Sequence, residues 1–194
     1  GVKTDGTLWS WGANEYGTLG NGIMGTGPTA GRSAPAQVGS ATDWAEVTSD
    51  LHHALASKRD GTLWAWGLGE YGALGTGSVE IQLTPVRVGT ASNWLRVDAG
   101  LTHTLGVRTD GTLWAWGTNT YGQFGNGLQS TTPAPAPVQV GSGRDWKHAE
   151  TSIYHSLAVT TDDARYSWGY NFWGQLGTGA TGDYELDPTV VQFP

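Results

Sequence analysis

Apolar and polar residues alternate along this chain in short runs separated by glycine-rich punctuation. Around Trp94 the segment Asn93-Trp94-Leu95-Arg96-Val97 alternates as a short strand, Ala99-Gly100 turns the chain, and Thr102 to Arg108 alternates again. Thr109-Asp110-Gly111-Thr112 then supplies an Asp-Gly pair, which predicts a two-residue hairpin turn with positive φ at both central positions. Leu113 to Trp116 is the third strand. Trp114 and Trp116 share one face of it and Leu113 and Ala115 the other, so it is expected to be covered on both sides. A glycine-rich loop, Gly117 to Gly127, leads to Pro137-Val138-Gln139-Val140, a short fourth strand whose prolines suit a sheet edge.

That unit recurs. DGTLWSWGANEYGTLGNG begins at Asp5, DGTLWAWGLGEYGALGTG at Asp60, DGTLWAWGTNTYGQFGNG at Asp110 and DDARYSWGYNFWGQLGTG at Asp162. The equivalent tryptophans Trp11, Trp66, Trp116 and Trp168 are spaced by 55, 50 and 52 residues, the length of a propeller blade and longer than common helical repeats. The predicted fold is therefore all-β: four tandem four-stranded blades, approximately residues 1–43, 44–93, 94–145 and 146–194, forming a single partial β-propeller.

Composition agrees and narrows the chemistry. With 31 glycines, 11 tryptophans, one methionine and no cysteine, the chain is rich in turns and in strand-favouring rings, which excludes a helical bundle. No apolar run approaches the roughly 20 residues of a membrane helix, so no membrane insertion is expected. Ten Lys and Arg against 17 Asp and Glu leave a net charge of −7, the wrong sign for nucleic-acid binding. The absence of cysteine removes disulfides, thiolate nucleophiles and Cys-based zinc sites.

The recurring pattern H-[TS]-L-[AG], then D-G-T-L-W-A-W-G-x-N-x-Y-G-Q-[LF]-G-x-G, then P-x-x-V, resembles the regulator of chromosome condensation repeat family, in the tryptophan-rich form common in bacterial multi-repeat proteins. The resemblance covers nearly the whole chain. It implies a propeller, usually of about seven blades, and an extracellular or cell-surface bacterial setting is the favoured location. Members of this wider group include a nuclear exchange factor for the small GTPase Ran and secreted β-lactamase inhibitors, which bind other proteins through loops on one propeller face. The fold alone assigns no activity.

Gly1-Val2-Lys3-Thr4 aligns with Gly106-Val107-Arg108-Thr109, and Pro188 to Val191 aligns with Pro85 to Val88, so the chain is expected to start and stop inside blades. A seven-bladed ring at this period needs about 364 residues. Three arrangements are compatible with that shortfall: part of a longer propeller, two copies closing a ring or stacking edge to edge, or a four-bladed ring with a defective seam. In the first two, the remainder of a longer chain or a second copy completes the ring.

Candidate chemistry is sparse. His53, His103 and His155 recur once per blade, so they are expected to tie neighbouring turns rather than converge on a metal; His52 and His148 lie outside that register. All eleven tryptophans have a place in the repeat, with Trp173 nearest the rim in the position of Tyr16, Tyr71 and Tyr121. Stretches such as Gly75-Thr76-Gly77 precede no helix and read as turns rather than phosphate cradles. No nucleophile elbow and no recurring carboxylate pair is present, and Asp183-Tyr184-Glu185-Leu186-Asp187 lacks the glycine and terminal glutamate of an EF-hand loop. No enzyme activity, cofactor or metal is expected.

Departures from the repeat point to function. Ile23 to Arg32, Gln129 to Pro135 and Gly179 to Asp187 occupy the same place in their repeats and should emerge on one propeller face as loops. Candidate partner-binding residues are Met24, Arg32, Gln129, Trp173, Asp183, Tyr184 and Glu185. The expected function is a protein-interaction scaffold. The alternatives are a carbohydrate-binding module of a secreted or surface protein, and guanine-nucleotide exchange by analogy with the Ran factor.

Overall fold

The structure is a computed structural model and describes residues 1–26 and 30–191. Three four-stranded antiparallel meanders follow one another: β3 (Trp44–Ser49), β4 (His53–Lys58), β5 (Leu63–Gly67) and β6 (Gln82–Arg87); β7 (Trp94–Ala99), β8 (His103–Arg108), β9 (Leu113–Asn119) and β10 (Ser130–Val140); β11 (Trp146–Thr151), β12 (His155–Thr160), β13 (Arg165–Tyr170) and β14 (Tyr184–Val190). The first repeat contributes a two-stranded sheet, β1 (Trp9–Gly12) with β2 (Arg32–Gln37), and a bridge from Val2 to Leu8 that repeats the pairing of Val107 with Leu113. No helix among the described residues is long and apolar enough to cross a membrane. The chain is an all-β array of propeller blades.

The doubly covered third strand is present as expected. Leu63, Ala65, Leu113 and Ala115 are fully buried on one face, and Trp66, Trp116 and Trp168 on the other. Each of these indoles reaches into the preceding blade: Trp66 Nε1 donates to the Thr18 carbonyl (2.9 Å), Trp116 to Ala73 (2.7 Å) and Trp168 to Gln123 (2.7 Å). A glycine makes the approach possible, because a Cβ on Gly75 would stand 2.7 Å from Trp116 Nε1. The histidines complete the joint. Ser156 Oγ donates to the same Gln123 carbonyl (2.8 Å), so it accepts the His103 Nε2–H (3.0 Å); Thr104 Oγ1 likewise donates to Ala73 (2.8 Å) and faces His53 Nε2 (3.4 Å). One loop carbonyl thus collects a tryptophan and a hydroxyl from the next blade, and that hydroxyl meets the histidine of the carbonyl's blade. Nearer the inner strands, the Asp98 carboxylate links three blades, accepting from Thr48 Oγ1 (3.1 Å) and from the Thr151 amide (2.8 Å) and hydroxyl (2.7 Å).

Three local expectations change. Gly61 and Gly111 take positive φ (77° and 76°), but Asp60 and Asp110 do not. The turn closes through Gly61 N to Lys58 O (2.9 Å) and Lys58 N to Thr62 O (2.9 Å), a three-residue hairpin with a glycine bulge rather than a two-residue turn. The aspartate serves through its side chain. Asp60 Oδ1 accepts the Thr62 amide (2.9 Å) and hydroxyl (2.7 Å), and Thr62 Oγ1 accepts Trp64 Nε1 (3.1 Å), which holds the Asp60 carboxyl below its ordinary pKa. In the fourth copy Asp163 replaces the glycine at φ 66°. The fourth strand is also longer than expected: β10 starts at Ser130, so most of the Thr/Pro-rich segment 129–135 is strand, and Arg32, Tyr184 and Glu185 likewise lie at strand starts. Edge pairing on one side tolerates Pro133, Pro135 and Pro137, because the missing N–H groups are not needed there. Of the segment from Ile23 to Arg32, Gly27, Pro28 and Thr29 lie outside the described residues, as do Gln192 to Pro194 of the last repeat.

Candidate functional site

Antiparallel meanders sort the connections onto two faces. The Asp-Gly turns and the blade-to-blade links lie on one, the turn face; the β3–β4, β7–β8 and β11–β12 turns and the long third-to-fourth-strand connections lie on the other, the loop face. The three repeat-breaking segments all belong to the loop face. Backbone bonds join its two sets of connections, as from Tyr170 N to Tyr154 O (3.0 Å).

An asparagine sets the shape of each long loop. Asn119 Oδ1 accepts the Phe124 amide (2.9 Å) and its Nδ2 donates to the Leu128 carbonyl (2.9 Å); Asn14 and Asn171 repeat this with Leu19 and Ile23, and with Leu176 and Ala180. In the second copy Gly69 stands there, and the Glu80 backbone fills the space of the absent side chain. These residues are buried, and of the two positions that follow each, Glu15, Glu70, Tyr71, Thr120, Phe172 and Trp173 are exposed while Tyr16 and Tyr121 are half-buried. Sequence reasoning missed this role of the asparagine, although its recurrence within WGxN was the available signal.

The fourth copy gathers aromatic side chains. Tyr121 from the third blade packs on Tyr154 (5.0 Å between ring centroids), Tyr170 (5.4 Å) and Tyr184 (5.5 Å), Tyr170 stacks near Phe172 (6.3 Å), and Phe172 meets Trp173 edge-on (4.9 Å). Trp173 is 77% exposed and Phe172 56%, and Ile153 beside them is also exposed. A cavity of about 330 Å³ is lined by Tyr121, Tyr154, Tyr170 and Trp173 together with Ile153, His155 and Gln175. Burial lowers the His155 pKa, which favours the neutral imidazole there. Of the sequence candidates, Trp173 lines this cavity, Tyr184 packs on its rings, and Asp183 and Glu185 flank Tyr184 along the chain. Gln129 lies in the third blade's loop, its Nε2 donating to the Thr120 carbonyl (3.1 Å). Met24, exposed, and Arg32 lie on the same face but in the first repeat, and do not line the cavity. Tyr154 and Tyr170 were not singled out in the sequence. Their signal was the replacement of His52 or Thr102, and of Leu68 or Thr118, by tyrosine at matching repeat positions.

Charge is divided between the faces. Lys3, Lys58, Arg59, Arg87, Arg108, Arg144, Lys147 and Arg165 sit on the turn face beside Asp5, Asp43, Asp60, Asp110, Asp145, Asp162 and Asp163, in pairs such as Lys58–Asp43 (3.0 Å) and Lys147–Asp163 (2.8 Å). Glu15, Asp50, Glu70, Glu80, Asp183 and Glu185 belong to the loop face, where Arg32 is the single lysine or arginine among the described residues. The net negative charge is therefore carried mainly by the loop face.

Models of the regulator of chromosome condensation (RCC1) repeat match residues 5–56, 60–107, 110–159 and 162–194, and a second RCC1-repeat model matches 95–123. The chain belongs to the RCC1 repeat family. Among solved structures it is similar to yeast RCC1 (Prp20) bound to Kap60, with a TM-score of 0.86 at 23% identity over 99% of this chain and 46% of that one. It is also similar to Prp20p from Saccharomyces cerevisiae, described with its binding to Gsp1p and histones (TM-score 0.83, 23% identity, 99% and 48% covered). Human WBSCR16 gives a TM-score of 0.83 at 21% identity, over 97% of this chain and 48% of that one. These likenesses carry the fold, and the chain spans about half the length of these solved structures. The repeat reading and the propeller expectation are thereby met.

Proposed function

We propose that this chain is a non-catalytic protein-interaction module that engages its partner through the loop face. The observation that carries the reading is the exposed aromatic surface around Trp173 on an acidic face, built from the repeat positions that depart from the pattern. Contiguous exposed rings on a folded domain mark contact surfaces. The RCC1-type neighbour engages Kap60 in its crystal structure and is described with Gsp1p and histones, which supports the use of this fold for binding proteins. A photo-crosslinking side chain at Met24, Gln129 or Phe172 should trap a partner in the source cells, whereas the same group at Ser92 or Thr109 on the turn face should not. Equal trapping from both faces refutes the reading.

A second proposal concerns the blades' own continuation. Trp11 is 54% exposed, whereas its equivalents Trp66, Trp116 and Trp168 are buried against a preceding blade. A cavity of about 380 Å³ lies between it, Leu8, Leu19 and Trp66. This supports further blade structure, from the remainder of a longer chain or from a second copy, packing on β1 in a ring of about seven blades. Protection of the Trp11 indole N–H from exchange in the assembled protein, and not in the isolated 194 residues, is the expected result.

A further inference from the structure

We infer that the cavity between Tyr121, Tyr154, Tyr170 and Trp173 receives a cationic side chain, an arginine or lysine, from a basic segment of the partner protein. The inference rests on the loop-face reading above and names the chemistry that face recognises.

The chain already shows what its aromatic clefts accept. On the turn face, Lys58 Nζ lies 5.0 Å from the centroids of both Trp44 and Trp64, and the Arg108 guanidinium lies 4.6 Å from Trp94 and 3.6 Å from Trp114. In both cases a cation from the second strand fills the cleft between rings of the first and third. Three of the rings that line the loop-face cavity, Tyr121, Tyr154 and Tyr170, have centroids 5.0, 5.4 and 6.1 Å apart, so a cation seated against one of them is close to the range of about 6 Å over which ring quadrupoles attract it. Its lining holds no lysine or arginine of the chain's own. The volume of about 330 Å³ is at the lower end of ligand pockets, a size that suits one side chain rather than a folded element.

The surrounding field selects the sign. Asp183 and Glu185 flank Tyr184, whose ring contacts Tyr121 and Tyr170, and nearly every other charge on this face is a carboxylate. A guanidinium or ammonium gains from that field and from the rings together, whereas an acidic segment is repelled. An uncharged sugar gains from the rings and from hydrogen bonds to lining groups such as Ser152 and Gln175, but nothing from that field.

The test titrates the isotope-labelled protein with a blocked arginine-glycine hexapeptide, its citrulline-glycine counterpart of the same shape without charge, and cellohexaose, while amide and indole signals are followed by NMR. The expected result is saturable shifts at Ile153, Tyr154 and the Trp173 indole with the arginine peptide, and affinity weaker by about tenfold with citrulline. Trp173→Ala should also lose about tenfold and Trp173→Tyr should retain most binding, and both variants should fold because the side chain is exposed. Equal response to arginine and citrulline, a matching response to cellohexaose, or shifts confined to the turn face overturns the inference. Loop-face crosslinks to a partner combined with no response to the arginine peptide also overturn it, while leaving the protein-binding reading standing.

Discussion

Trp116→Ala should be among the most damaging single substitutions in the chain, and the same change at Trp11 should be mild although both residues hold the same repeat position. Trp116 is fully buried, packs edge-on against Trp94 (5.5 Å) and donates its indole N–H to the Ala73 carbonyl at 2.7 Å. An indole of roughly 200 Å² at about 25 cal/mol per Å² contributes about 5 kcal/mol, an upper value because denatured chains already hide some surface. Truncation does not strand the Ala73 carbonyl, since the Thr104 hydroxyl still donates to it at 2.8 Å. The cost is therefore packing and cavity, about 3–5 kcal/mol. Against a typical domain stability of about 5–15 kcal/mol, that is a large share. Trp11, at 54% exposure, has less than half of that area to lose. Urea unfolding followed by far-UV circular dichroism, with the slope checked for constancy, measures both. Comparable losses at the two positions, or a loss below about 1 kcal/mol at Trp116, refute inter-blade packing as the source of stability.

Three further outcomes follow from named contacts. Gly61→Val and Gly111→Val should each cost more than the ordinary glycine entropy difference of about 1 kcal/mol, because both sites have positive φ and a Cβ would run into the Ser92 or Arg144 carbonyl; thermal melts check this. Asn171→Ala should lower the protection of the Leu176 amide in hydrogen exchange and weaken loop-face binding, since one side chain holds both sides of that loop. Burial depresses the pKa of His53 to about 4 and of His103 to about 3. Their unfolded values are near 6.5, so the unfolded chain takes up protons first. Stability is then full above about pH 6.5 and falls below it by on the order of 1 kcal/mol per pH unit for each histidine until the folded value is reached. His103→Gln should flatten that acid limb in melts taken between about pH 4 and 7; an unchanged slope counts against it.

The blade is legible in the local residue pattern. Alternation, the Asp-Gly punctuation and the paired tryptophans are local signals, and because each blade has the same neighbours, one repeat's pattern explains the burial of Trp66, Trp116 and Trp168 together. It also placed the repeat-breaking segments on a single face, since an antiparallel meander returns equivalent connections to the same side. Other features depend on contacts that no local pattern encodes. The hairpin type depended on whether the aspartate offered its backbone or its carboxylate, and Asp60 uses the carboxylate. The length of β10 depended on an edge that prolines can occupy. The aromatic cavity draws Tyr121 from one blade and Tyr154, Tyr170 and Trp173 from the next, residues up to 52 positions apart that carry no mutual spacing rule. Likewise Trp11 and Trp116 are equivalent in sequence and opposite in exposure, because a blade's outer surface is finished by its neighbour and not by its own residues.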